Sequence, residues 1–255
     1  MMENPGFDAV LARLLDHREL DAQALADRSG STAAEVRAVL AGKDPDEDTL
    51  RLLAPALGFH AVDLFVLAGR AVPEDLAPLD AQAALSTANI VTDAACLPGT
   101  ERRDLLALIR SLPQKERRVD FVPRTPVLLT GGAGSWVIRM LQYRNLTRMG
   151  IAKALAFVTT TYLSAATFGV IGADRVELTP SLVTDFAAVL GIDARDLAAA
   201  TGVLLPQAPP PPSAAAADVA ELLWEARRLS AAQAQHVSEL ARALRRDHTA
   251  GDAPA

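Results

Sequence analysis

The stretch Leu25–Gly42, LADRSGSTAAEVRAVLAG, decides how this chain is read. Its apolar, glycine and capping residues are spaced for one supersecondary unit: a helix, a sharp turn and a second helix. Leu25 and Ala26 fall on the apolar side of a helix begun by Asp21. Gly30 stands where the chain must reverse, a place where positive φ costs glycine little and other residues more. Thr32 and Glu35 have the spacing of a capping box, in which the hydroxyl accepts from the N3 amide and the carboxylate accepts from the cap amide. Val36, Val39 and Leu40 share one face of the second helix, and Gly42 ends it.

Upstream, Phe7–Leu20 is expected as an amphipathic helix with Phe7, Val10, Leu11, Leu14 and Leu15 as its buried stripe. Downstream, Asp44-Pro45-Asp46-Glu47 starts a helix and Thr49–Leu57 ends in Leu57-Gly58, before a last helix with Asp63, Leu64 and Phe65. The helix dipole accounts for the acidic run, which lacks the alternating ligands, central glycine and closing glutamate of a calcium loop. The series, with its pattern Leu-Ala-x3-Gly-x-Thr-x3-Val-x5-Gly, resembles the five-helix helix-turn-helix domain of the phage-repressor/xenobiotic-response-element family. The resemblance spans Phe7–Gly69 and implies an all-α, lambda-repressor-like unit at 7–70. It also implies that the second helix of the motif lies in the major groove.

The unit recurs. A shift of 132 residues puts Phe157 on Leu25, Ser164 on Thr32 and Phe168 on Val36. After one inserted residue, Val183, Phe186, Leu190, Gly191, Asp196, Leu197 and Gly202 fall on Leu50, Leu53, Leu57, Gly58, Asp63, Leu64 and Gly69. The second unit, at 136–203, departs from the pattern at Tyr162 and Asp174, where glycines are expected. Between the units stand connecting helices at 71–118, expected to pack on the first unit, and a proline- and glycine-rich linker at 119–135. Its Gly-Gly-Ala-Gly run is no phosphate loop, since no Gly-Lys-Ser/Thr follows. A proline-rich spacer at 206–213 leads to a helical hairpin at 214–247, whose narrow apolar stripe is expected to mediate a homodimer or to fold back on the second unit. Arg242, Arg245 and Arg246 read as a solvated helix end, and the architecture resembles helix-turn-helix regulators of high-GC actinobacteria.

Composition sets the bounds. The 255 residues are half apolar and carry a net charge of −6, which argues against a generic nucleic-acid coat protein. The charge is asymmetric. Residues 7–58 hold six basic and ten acidic side chains, whereas residues 136–175 hold Arg139, Arg144, Arg148, Lys153 and Arg175 against Asp174 alone. Phosphate contacts supply much of a protein's affinity for DNA, so the second unit is the expected contact with double-stranded DNA. Its candidate residues are Arg139, Arg144, Arg148, Lys153, Thr160, Thr161, Ser164, Ala165, Ala166, Thr167 and Arg175. In the first unit they are Thr32, Ala33, Ala34 and Arg37. At the reading positions of the first unit only Arg37 offers the bidentate chemistry of base readout, and in the second Arg144, Arg148, Lys153 and Arg175 are expected to grip the backbone. The alternative is a protein-interaction scaffold that keeps the fold without reading DNA.

Other chemistries find little support. His17, His60, His236 and His248 are far apart, and Cys96 has no basic activator at the next turn, so neither a catalytic constellation nor a metal or other cofactor is expected. One cysteine allows no intrachain disulfide, and the N-terminus lacks a signal-peptide layout. The longest apolar-leaning run, Ile151–Ile171, carries Lys153 and several threonines, so no membrane span is expected. A cytoplasmic regulator fits this reading; its effector is not legible.

Overall fold

The computed structural model describes residues 5–123 and 131–251; residues 124–130, within the expected linker, lie outside it. The described chain is all-α, with fourteen α-helices, two short 3₁₀ turns and no strand among the described residues. The first five helices are α1 (Phe7–His17), α2 (Ala22–Ser29), α3 (Ala33–Leu40), α4 (Glu47–Ala56) and α5 (Ala61–Leu67). Asp21 accepts from the Ala24 amide to start α2, Gly30 ends it in the left-handed region at φ 76°, and the Thr32/Glu35 capping box is complete at α3. Leu11, Leu14, Leu25, Val36, Leu50, Leu53 and Leu64 are buried together.

Five later helices repeat the series: α8 (Ala133–Gln142), α9 (Arg148–Val158), α10 (Ala165–Gly172), α11 (Pro180–Leu190) and α12 (Ala194–Thr201). N-caps correspond, Asp21 with Thr147, Thr32 with Ser164 and Asp46 with Thr179. So do the left-handed residues Glu19 and Asn145, Gly58 and Gly191, and Gly69 and Gly202. The caps correct the sequence register. α9 has eleven residues where α2 has eight, and the following turn is longer as well. Ile151, fully buried, therefore takes the place of Leu25, while Phe157 is 47% exposed. Tyr162 lies in the lengthened turn, which no longer needs the glycine. Asp174 keeps the positive φ of the glycine it replaces, at 49°, and its carboxylate accepts from the amides of Gly132, Gly134 and Ser135 at the start of α8. The glycine run thus opens a helix three residues earlier than Trp136. A Cβ on Gly134 would collide with the Ile171 carbonyl of α10.

The connecting helices α6 (Ala84–Ala94) and α7 (Gly99–Ser111) do not pack mainly on the first five helices. They form a bundle with the hairpin, α13 (Ala214–Ala226) and α14 (Ala231–Gly251): α6 lies against α14 and α9, and α13 against α7 and α11. The hairpin's apolar stripe, including Val219, Leu222, Leu223 and Val237, is buried within the chain. Arg102 pairs with Asp218 at 2.9 Å. The expected solvated end is anchored instead, because Arg245 and Arg242 lie 2.9 and 3.8 Å from the buried carboxylate of Asp93.

The two five-helix sets meet through exchange-related contacts, α1 on α12 and α5 on α8. Arg18 and Arg144 each precede the left-handed residue that follows the first helix of their set. Arg18 donates to both Asp196 oxygens, at 2.8 and 2.6 Å, and to the Leu57 carbonyl at 2.7 Å. Arg144 donates to both oxygens of Asp63, one at 2.9 Å, and to the Leu190 carbonyl at 3.3 Å. Each arginine therefore closes the fourth helix of its own set and takes the carboxylate from the fifth helix of the other. This is the reciprocity of a two-fold interface, built within one chain.

Candidate nucleic-acid interface

On α3 the exposed residues are Thr32, Ala34, Glu35 and Arg37, while Ala33 is half-buried and packs on the core. Thr32 donates its amide and hydroxyl to Glu35 at 2.8 and 2.9 Å, and these bonds hold that carboxyl below its ordinary range. Arg37 is thus the one long cation projecting from α3 itself. On α10, Ser164 and Ala166 are exposed, and Ala165 and Thr167 are half-buried. Ser164 Oγ accepts from the Thr167 amide at 3.3 Å and lies 3.0 Å from its hydroxyl, so both hydroxyls are engaged in starting the helix.

The five cations of 136–175 do not form one surface. Arg144, expected to grip phosphate, is sealed in the inter-set pair with Asp63, because its position at the end of α8 points into the joint. Lys153 faces α6, where its ammonium lies 3.4 Å from Asn89 Oδ1 beside a cleft of about 190 Å³ between α6 and α9. Arg139 is half-buried on α8 near Tyr143. Two cations flank α10. Arg148, the first residue of α9, lies so close to Gly169 that a Cβ there would come within 2.8 Å of its Nη1, and Arg175 is exposed just beyond the helix. Thr160 is exposed in the long turn, whereas Thr161 donates its hydroxyl to Asp185 of α11 and holds that turn in place. Met149, Phe157, Tyr162 and Val176 are large apolar residues exposed on and around α9 and α10.

Behind these helices, sequence reasoning missed a charged joint. Trp224 of α13 stacks on His60, the N-cap residue of α5, with centroids 3.6 Å apart and planes 9° from parallel. The guanidinium of Arg227 lies 3.7 Å from the centroid of the same indole and that of Arg144 lies 5.2 Å from it. Burial first, and the Arg144 charge second, push His60 down to about 4 and Arg227 down to about 10. The signal available in sequence was Asp63, a carboxylate inside the apolar run Val62–Leu67 that must find a partner if buried. In the basic run at 115–118 Arg117 is tied down, its guanidinium donating to the carbonyls of Glu74, Ala77, Pro78 and Leu79.

Among the described residues no group of three or more histidine, cysteine, aspartate or glutamate side chains is placed to hold a metal, and no single helix is long and apolar enough to cross a membrane. No family model matches the chain, and no curated protein or solved structure matches it.

Proposed function

We propose that the chain is a transcriptional regulator that binds double-stranded DNA. In this reading its two lambda-repressor-like units, with α2–α3 and α9–α10 as their helix-turn-helix pairs, act together as a dimer made in one chain. The reciprocal pairing of Arg18 with Asp196 and Arg144 with Asp63 carries the proposal. Helix-turn-helix proteins commonly bind as two-fold dimers whose reading helices meet successive major grooves. Here a covalent pseudo-dimer meets that requirement without a second chain. Because α3 offers Arg37 and α10 offers small side chains and hydroxyls, the two half-sites differ in sequence. Arg148 and Arg175, on either side of α10, grip phosphates, and Arg37 reads a base edge.

An electrophoretic shift with duplex DNA at low salt tests this. The double variant R148E/R175E loses binding and flattens its salt dependence, since each phosphate contact contributes about one unit of the logarithmic salt slope. Binding that survives this change at full strength contradicts the reading. The exposed Met149, Phe157, Tyr162 and Val176 favour a second reading, a protein-docking scaffold. In that case no duplex shifts at low salt, and substituting these four by serine abolishes capture of a protein partner.

A further inference from the structure

The joint at Trp224 opens onto a cleft of about 810 Å³, lined by residues of the Glu74–Leu79 segment, the chain after α7 and the end of α13. Four cations face it, Lys115, Arg117, Arg227 and Arg228, with the acids Glu74, Asp75 and Glu225. Each acid is already engaged by an arginine. Glu74 lies 2.9 Å from Arg117, Asp75 takes two bonds of 2.9 Å from Arg51, and Glu225 lies 3.4 Å from Arg110 and 3.9 Å from Arg228. Arg227 and Lys115 have no ion pair among the described residues. The Nε of Arg227 is buried without a hydrogen-bond partner, and its guanidinium rests on the Trp224 ring.

The deficit extends through the joint. Trp224 carries two guanidinium groups, from Arg227 and Arg144, and the carboxylate hydrogen-bonded to either is Asp63, held by Arg144. His60 on its other contact is neutral near pH 7, its proton affinity lowered by burial. Asp63 and Glu225 lie near enough to offset part of the charge on Arg227, yet burial and Arg144 still bring it down to about 10. A cation in that condition is stabilised by a counter-anion, and the open side of the site is the cleft.

We infer that this cleft is a binding site for a small organic oxyanion, a phosphorylated or polycarboxylate metabolite, held by Arg227 and Lys115. Its charged group donates no proton and accepts from the free guanidinium N–H groups and the ammonium. Binding there offsets the repulsion between Arg227 and Arg144, so the ligand stabilises the joint between the two five-helix sets.

Titrations of the full chain with pyrophosphate and with citrate, each against sodium chloride at equal ionic strength, test the site without DNA. At least one anion is expected to raise Tm by about 2–4 °C at a concentration well above its Kd, and to change tryptophan fluorescence through Trp224. Pyrophosphate acting alone identifies a phosphoryl ligand, and citrate acting alone a polycarboxylate. R227Q and K115A each weaken binding at least tenfold, while R103Q, on an exposed part of α7, leaves it unchanged. K115A changes an exposed side chain and keeps the fold if R227Q does not. The site is overturned if neither anion raises Tm beyond chloride, or if R227Q and K115A bind as the native chain does.

Discussion

The two arginine–aspartate pairs that join the five-helix sets match in position and differ in geometry and surroundings: Arg18 holds Asp196 through Nε and Nη2, and Arg144 holds Asp63 through Nη1 and Nη2. Arg18 retains 22% side-chain exposure and Asp196 6%, whereas Arg144 and Asp63 are at 1% and 0%. The hydrogen bond to Asp196 raises the proton affinity of Arg18, and water still reaches the pair. The Arg144 pair lies beside Trp224 of the hairpin, whose indole also stacks on His60. A repeated interface has thus been made asymmetric by what was packed beside it, with one joint open to adjustment and the other locked to the helical bundle.

The largest test of that contrast breaks the sealed pair. D63N leaves Arg144 buried without its charge partner and is expected to cost about 3–5 kcal/mol in chemical denaturation, while D63N/R144M recovers much of the loss because no buried charge is then left without a counter-charge. A loss below about 1 kcal/mol would mean that water enters the joint. Next comes pH. The pKa of His60 is about 4 in the folded chain, below its ordinary value, so the unfolded chain takes the proton first as pH falls. Stability contributed by neutral His60 is present above about pH 6.5 and lost as pH drops toward 4, by roughly 2–3 kcal/mol. H60F keeps the stack on Trp224 and removes that part of the slope; an unchanged slope between native and variant contradicts the assignment.

The open pair gives a smaller effect. R18Q is expected to cost about 1–2 kcal/mol, less than any single break at Arg144, because Arg18 keeps part of its contact with water and His17 Nε2 remains 3.8 Å from Asp196. Equal costs at Arg18 and Arg144 would remove the proposed asymmetry. Smallest are the caps of α3 and α10, T32A and S164A, each about 1 kcal/mol. T32A also removes the hydroxyl that donates to the Glu35 carboxylate at 2.9 Å, a charge-assisted bond that has no counterpart at Ser164, so its effect should be the larger of the pair.

Most of the repeat was legible because it rests on local chemistry. Caps, left-handed glycines and the Leu57-Gly58 and Leu190-Gly191 ends announce themselves within a few residues. The register of α9 was not legible, because Phe157 has the apolar character of Leu25 and only the Thr147 cap shows that Ile151 fills its place. The basic cluster misled for a related reason. Net charge along 136–175 says nothing about direction, and Arg144 points into a neighbour 81 positions earlier in the chain. Partners that distant cannot be read from spacing, although two matching Asp residues in apolar helices at 63 and 196 hinted that something charged must meet them.

Selection of bound duplexes from a random library with the full protein tests whether one chain acts as an asymmetric DNA-binding dimer. If it does, an enriched site with two unlike half-sites about 10 base pairs apart, bound by one chain, is expected. A palindromic site bound by two chains, or no enrichment over unselected DNA, would contradict that reading.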